Sequence, residues 1–256
     1  MGKGVTQIDL KEAIRDEVIV IPARMSGTRL PGKPLILIAG KAMIHHVWDR
    51  CKEVFPEKDI FVATEDQIIE EYCKSHKIQC VLTSSANSAI DRVFLFSQVV
   101  KAKTYINVQG DEPIINPKDV IKVSNFSKLN RDFVIIGKTP ANEAEFNDFS
   151  KAKVVCDMEG KLLYSSRAGI PVDNKGQFVR AERAIWIYAF PSKSLQKYYD
   201  SFQLTHLDKV EDNEILRFLE IGEPVYCVDV IGDSWAVDEL KDVAVVEARL
   251  KELNVK

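Results

Sequence analysis

Three cations fall within ten residues of one another in Pro22-Ala-Arg-Met-Ser-Gly-Thr-Arg-Leu-Pro-Gly-Lys-Pro34: Arg24, Arg29 and Lys33. Arginine offers a planar, bidentate fork to phosphate oxygens and lysine a compact charge, a combination suited to a triphosphate. Gly27 and Gly32 allow close backbone approach, so backbone N–H groups around Ala23 and Thr28 become available to an anion. The loop is neither G-x-G-x-x-G nor G-x-x-x-x-G-K-[ST], which removes the usual support for dinucleotide binding or P-loop hydrolysis. A solvated basic turn would use the same residues, although the framing prolines Pro22, Pro31 and Pro34 argue for a shaped one.

A second cluster, Asn107-Val-Gln-Gly-Asp-Glu-Pro113, places Asp111 a few residues beyond an apolar run. A carboxylate facing a triphosphate needs a bridging cation. Mg²⁺ takes one or two protein carboxylates and completes its shell with phosphate oxygens and water. Asp238, in Val230-Ile-Gly-Asp-Ser-Trp-Ala-Val-Asp-Glu-Leu240, is the candidate for a second metal carboxylate. Each aspartate equally suits a plainer role as the cap of a following helix.

These residues need a frame that brings them to one edge. Val18-Ile-Val-Ile-Pro22 is the continuous apolar run of a strand buried on both faces, and the basic loop follows it directly. Helical spacing of Ile44, Val47, Trp48, Cys51 and Val54 predicts a helix over 43–54. Strands are expected at 60–63, 80–82 and 105–108, with helices at 66–76 and 91–101 between them. Such alternation predicts an α/β fold with a doubly wound, mostly parallel sheet flanked by helices, whose carboxyl edge binds ligands. After residue 130 the pattern changes, with strands at 133–138, 153–156, 161–164 and 184–190. A β-rich excursion near 155–190 is expected, then helices at 192–201 and 208–221, a strand at 225–230 and a last helix from Glu239. The expected organisation is an N-terminal extension, 1–16, and one domain over 17–256.

The 256 residues suffice for a substantial core, and 46% hydrophobic with 29% charged residues is ordinary for a globular protein. A formal charge of −3 gives no general reason to expect nucleic-acid binding. The five cysteines are scattered without a C-x-x-C, and His45 and His46 are adjacent, so neither residue type shows a metal spacing. No apolar stretch reaches the ~20 residues of a membrane span, and the first residues are too polar for a secretory signal. A cytoplasmic, reduced protein is the expectation.

In order along the chain, P-A-R-x-x-(S/G)-T-R-L-P-G-K-P-L with its leading strand, V-A-T-(D/E) at 62–65, N-V-Q-G-D-E-P at 107–113 and S-R-x-x-I-P at 166–171 resemble the 3-deoxy-manno-octulosonate cytidylyltransferase family. The resemblance covers about residues 17–250. It implies a Rossmann-like fold of the nucleotide-diphospho-sugar transferase type, CTP and an acidic sugar as substrates, Mg²⁺, and a homodimer. The reaction it implies is attack by the sugar's anomeric hydroxyl on the α-phosphorus. By similarity Arg24, Lys33, Asp111 and Asp238 are catalytic, the two aspartates holding the metal. Ala23, Arg24, Thr28, Arg29, Lys33, Asp91, Arg92 and Gln109 would bind nucleotide, and Gln109, Arg167, Tyr188 and Glu214 the sugar, with Arg167 on its carboxylate.

Three segments depart from the family pattern. T-R-x-x-H-x-S-G-T-(D/E)-R becomes Thr83 to Arg92, keeping Asp91 and Arg92. A histidine is replaced by Ala184 and a glycine by Trp186 on the 184–190 strand, and a glutamine by Ile215. These changes predict a more apolar sugar pocket with the phosphoryl chemistry retained. A sister enzyme for a nonulosonic acid or another nucleotide, and a non-catalytic nucleotide-binding relative, are the alternatives.

Overall fold

The computed structural model describes residues 14–27, 30–203 and 205–253. Residues 1–13, together with Thr28 and Arg29 of the basic loop, lie outside that range. Val18, Ile19, Val20 and Ile21 are fully buried because β1 (Arg15–Ala23) lies inside a sheet covered on both faces. It starts three residues before the apolar run does, since Arg15 already pairs with Ala102.

The chain continues through a short ladder of β2 (Leu37–Ile38) and β3 (Lys41–Ala42) into α1 (Met43–Lys52), β4 (Ile60–Thr64), α2 (Gln67–Ser75) and β5 (Gln79–Leu82). Of these strands β4 and β5 add in parallel on one side of β1, while β2 and β3 form a separate antiparallel pair. Then α3 (Ala89–Val99) carries the chain back, and β6 (Ala102–Val108) joins β1 in parallel on its other side. The strand order therefore reverses at β1, which makes the carboxyl ends of β1 and β6 the crevice where such sheets take ligands.

Beyond α4 (Pro117–Leu129) come β7 (Val134–Ala141), α5 (Glu143–Asn147), and the antiparallel pair β8 (Lys153–Cys156) and β9 (Leu162–Ser166). Next are the long β10 (Ala181–Pro191), α6 (Ser192–Asp200), α7 (Leu207–Val210), α8 (Ile215–Glu220), β11 (Val225–Asp229) and α9 (Leu240–Glu252). The sheet runs β11-β7-β10-β6-β1-β4-β5, with β10 antiparallel to both of its neighbours. The β-rich excursion belongs to this same sheet, because β8 pairs with β10 and β9 with β8.

Two apolar layers sandwich the sheet. Val18 and Val20 face Phe96, Leu195 and Phe218, whereas Ile19 and Ile21 belong with Ile44, Val47, Ile69 and Val120 on the opposite face. One expectation fails locally. The helix predicted over 208–221 is two short helices, broken where Asp212 adopts a left-handed φ of 46°. Its backbone oxygen accepts from Arg167 Nε (3.0 Å) and Nη2 (2.8 Å), and the tertiary bond overrides the local helical pattern.

Candidate active site

The basic loop leaves β1 at Ala23 and folds back on itself. Gly27 and Gly32 N–H both donate to the Met25 carbonyl (2.9 and 3.0 Å), and Met25 N–H donates to Asp66 Oδ2 (2.7 Å). Gly32, with φ 73°, turns the chain so that Lys33 points back across the sheet edge. There its Nζ lies 2.7 Å from Asp111 Oδ2 and 3.1 Å from Asp238 Oδ1.

Asp111 reaches this point because Gly110 lets β6 end close against β1. A Cβ at Gly110 would stand 2.6 Å from the Pro22 carbonyl oxygen. Asp238 arrives from the far end of the chain, tied in by Val237 N–H donating to the Asp111 carbonyl (2.9 Å). It is not the cap of the final helix: the Asp242 carboxylate accepts from Asp238 N–H (2.9 Å) and Glu239 N–H (2.8 Å) and holds that helix start.

Two cavities meet at these side chains. The smaller, about 370 Å³, is bordered by Ala23, Arg24, Lys33, Arg92, Gln109 and the 86–89 turn. The larger, about 1050 Å³, is bordered by Arg167, Arg183, Ala184, Trp186, Tyr188 and Trp235. Gln109, Asp111, Glu214 and Asp238 line both. A bulge in β10 between Ile185 and Tyr188 breaks the two-residue alternation, so Ile185 borders the larger cavity along with Ala184, Trp186 and Tyr188.

Arg92 is 2% exposed and turned to the smaller cavity, with Nη1 donating to Thr83 Oγ1 (2.8 Å). Burial lowers its pKa. Burial likewise pushes the carboxyls of Glu214 and Glu112 up to about 7, and the Tyr188 phenol well above its usual value. Glu112, in the wall of the larger cavity, had a sequence signal in its place beside Asp111. Arg183 and Trp235 line the same wall, and no motif in the sequence singled out either residue.

Other expected residues go elsewhere. Asp91 does not border either cavity. It is buried 3.4 Å from Arg217 Nη1, whose guanidinium also donates to Asp208 Oδ2 through Nε (3.0 Å) and Nη2 (2.7 Å). At the first turn of α3 its side chain faces a buried cation from α8. Ile215 lies in the core and does not make the larger cavity more apolar; Ala184 and Trp186 do line that cavity. Arg167 borders the larger cavity, but its donors serve Asp212 and the Phe149 and Ser150 carbonyls.

Among the described residues no three His, Cys, Asp or Glu side chains are grouped to hold a metal ion. Asp111 and Asp238 nevertheless converge on one cationic centre, and two hard oxygen donors are what Mg²⁺ takes from protein when phosphates supply the rest. The donor set fits that ion.

The whole molecule has the fold of the nucleotide-sugar transferases. The solved structure of CMP:2-keto-3-deoxy-manno-octonic acid synthetase complexed with CTP matches it at a TM-score of 0.85 and 32% identity, over 93% of this chain and 99% of the other. A family model described as Cytidylyltransferase matches residues 18–225, and the chain belongs to that family. Among its relatives is the 3-deoxy-manno-octulosonate cytidylyltransferase of Koribacter versatilis, 35% identical over 93% of this chain and 91% of that protein. Another is the 8-amino-3,8-dideoxy-manno-octulosonate cytidylyltransferase of Shewanella pealeana, 34% identical over 91% and 97%.

Proposed function

We propose that this cytidylyltransferase moves CMP from CTP to the anomeric hydroxyl of a 3-deoxy-octulosonate-type sugar acid and releases pyrophosphate. One observation carries the proposal: a cation-lined cavity and a larger mixed cavity open onto each other at Lys33, Asp111 and Asp238. The two substrates would meet there. The sugar oxygen forms a bond to the α-phosphorus, the bond from that phosphorus to the bridging oxygen breaks with its electron pair going to the departing pyrophosphate, and the hydroxyl proton passes to solvent water.

Arg24, Lys33 and Arg92 would bind the triphosphate and stabilise the charge that develops on the leaving pyrophosphate. Asp111 and Asp238 would hold Mg²⁺, which when bound polarises the α-phosphate and orients the leaving group. Gln109 and Glu214, common to both cavities, are placed to orient the two substrates against each other. Tyr188 and Trp186 line the cavity proposed for the sugar. The named relatives handle an octulosonate with either an oxygen or an amino substituent, and Ala184 and Trp186 favour a sugar differing from the unmodified one.

The homodimer and the cytoplasmic setting also belong to this proposal. Sedimentation at micromolar concentration checks the first. Fractionation of expressing cells checks the second; no described helix is long and apolar enough to cross a membrane.

The decisive experiment follows pyrophosphate with Mg²⁺, each nucleoside triphosphate and a panel of 2-keto-3-deoxy sugar acids. Release with CTP and an octulosonate is expected. Release only with a nonulosonate, or with another nucleotide, would reassign the substrate, and nucleotide binding with silence across the panel would reduce the protein to a binding relative. Asp111→Ala and Asp238→Ala are each expected to lower turnover by ~10²-fold or more. Wild-type rates in either would remove that carboxylate from the site.

A further inference from the structure

Asp238 is carried by a strap, residues 230–238, that has no regular structure of its own. Such a segment positions a side chain only as well as its backbone is held. The holding is concentrated at Ile231 and Gly232. Both N–H groups donate to one carboxylate, Asp119 of α4, at 2.8 Å to each oxygen. Both carbonyls are taken as well, Ile231 by Thr139 Oγ1 (3.2 Å) and Gly232 by Arg183 Nη2 (2.8 Å).

A side chain at Gly232 would be strained and crowded. Its φ is 68°, and a Cβ would stand 2.7 Å from Thr139 Cγ2 and 2.9 Å from Ile185 Cδ1. One residue further, Asn116 Nδ2 donates to Asp233 Oδ1 (3.1 Å). The strap then runs past Ser234, Trp235 and Ala236, which form a wall of the larger cavity, to Val237, whose N–H bonds to the Asp111 carbonyl.

Asp119 is 1% exposed and lies in neither cavity. A buried carboxylate is expensive, and this one is spent on two backbone N–H groups of an irregular segment. We infer that Asp119 is a positioning residue for the reaction: it fixes the strap so that Asp238 stays opposite Asp111 and the Trp235 wall stays closed. Arg183 completes the clamp from the other side, and Gly232 is the turn on which both act. The inference rests on the proposed metal role of Asp238.

The test compares Asp119→Asn and Gly232→Ala with Ser124→Ala and Asp238→Ala. Asparagine keeps the shape of Asp119 but turns an NH₂ toward one of the two backbone donors, leaving that N–H without an acceptor. Ser124 is buried on the same helix, and its hydroxyl donates to Glu17 Oε2 (2.8 Å), so Ser124→Ala loosens α4 without touching the strap. For Asp119→Asn and Gly232→Ala, kcat is expected to fall and the half-activating Mg²⁺ concentration to rise, each by about tenfold or more. KM for CTP should stay within about twofold while the far-UV spectrum stays native. Ser124→Ala should lower Tm without moving the Mg²⁺ requirement.

An unchanged Mg²⁺ requirement in Asp119→Asn, with Asp238→Ala inactive, would overturn the positioning role and leave the metal role standing. A shift in Ser124→Ala as large as that in Asp119→Asn would overturn it too, by reducing the effect to helix stability. Full activity of Asp238→Ala would instead overturn the metal role on which the inference rests.

Discussion

Glu214 stands in the wall common to both cavities, and burial holds its carboxyl near pH 7, with the Ile90 N–H at 3.3 Å pulling the other way. A carboxyl raised above its unfolded value binds its proton more tightly in the folded protein. Between about pH 4.5 and 7 the folded chain keeps a proton that the unfolded chain has lost, so stability contributed here is full below that window and declines as pH rises through it. The loss is at most about 3 kcal/mol for a shift of this size. Glu214→Gln should therefore flatten the fall in Tm between pH 5 and 7.5 relative to wild type, and an equally steep fall in the variant would show that another group titrates there. Gly110 makes a sharper demand. Alanine there must push the β6 end off the Pro22 carbonyl, moving Asp111 from Lys33, so turnover should drop by ~10²-fold with Tm lowered by only a few degrees.

Between elements, the contact of α3 with α8 runs through charge. Arg217 pairs with Asp208 and Asp91 and lies 3.9 Å over the Tyr198 ring, all of them buried. Removing the cation leaves two buried carboxylates facing each other. Arg217→Ala should cost about 3–5 kcal/mol in urea unfolding. Asp91→Asn should lower stability by a smaller amount while leaving KM for CTP within about twofold, and a large KM change would return Asp91 to the nucleotide. What the residues reveal unaided also divides by element. Buried strands such as β1, β4 and β6 announce themselves by apolar runs, and loop residues following them reach the carboxyl edge whatever else the chain does. Lys33, Asp111 and Gln109 were legible for that reason. Asp91 was not, because an acidic residue in a helix's first turn can face either a ligand or a neighbouring helix, and only Arg217, 126 residues away, decides which. The break at Asp212 and the seating of Ile215 in the core were hidden similarly, since Arg167 imposes the first and helix packing the second.

At the scale of the whole molecule, the site depends on α9 as well as on the sheet. Val246 and Leu250 of this helix pack with Ile38, Met43, Ile114 and Val237, joining the strap to the start of α1. Val246→Ala with Leu250→Ala should cost several kcal/mol, roughly 2–5 for each large side chain truncated and less for valine, with turnover lost at lower urea than far-UV helicity. Coincident loss of both signals would mean that the strap melts only with the sheet.

The three groups at the proposed reaction centre come from distant parts of the polymer: Lys33 lies 78 residues before Asp111 and 205 before Asp238. That spacing has a consequence for the protein while it is being made. A growing chain can assemble β1, β4, β5 and β6, and with them the cation-lined cavity, well before the segment bearing Asp238 has left the ribosome. Until then Lys33 and Asp111 stand without the second carboxylate. Asp238 is the last of the three groups to be made, so on the proposed reading a translation product interrupted before the strap would lack the second carboxylate and should spend no CTP.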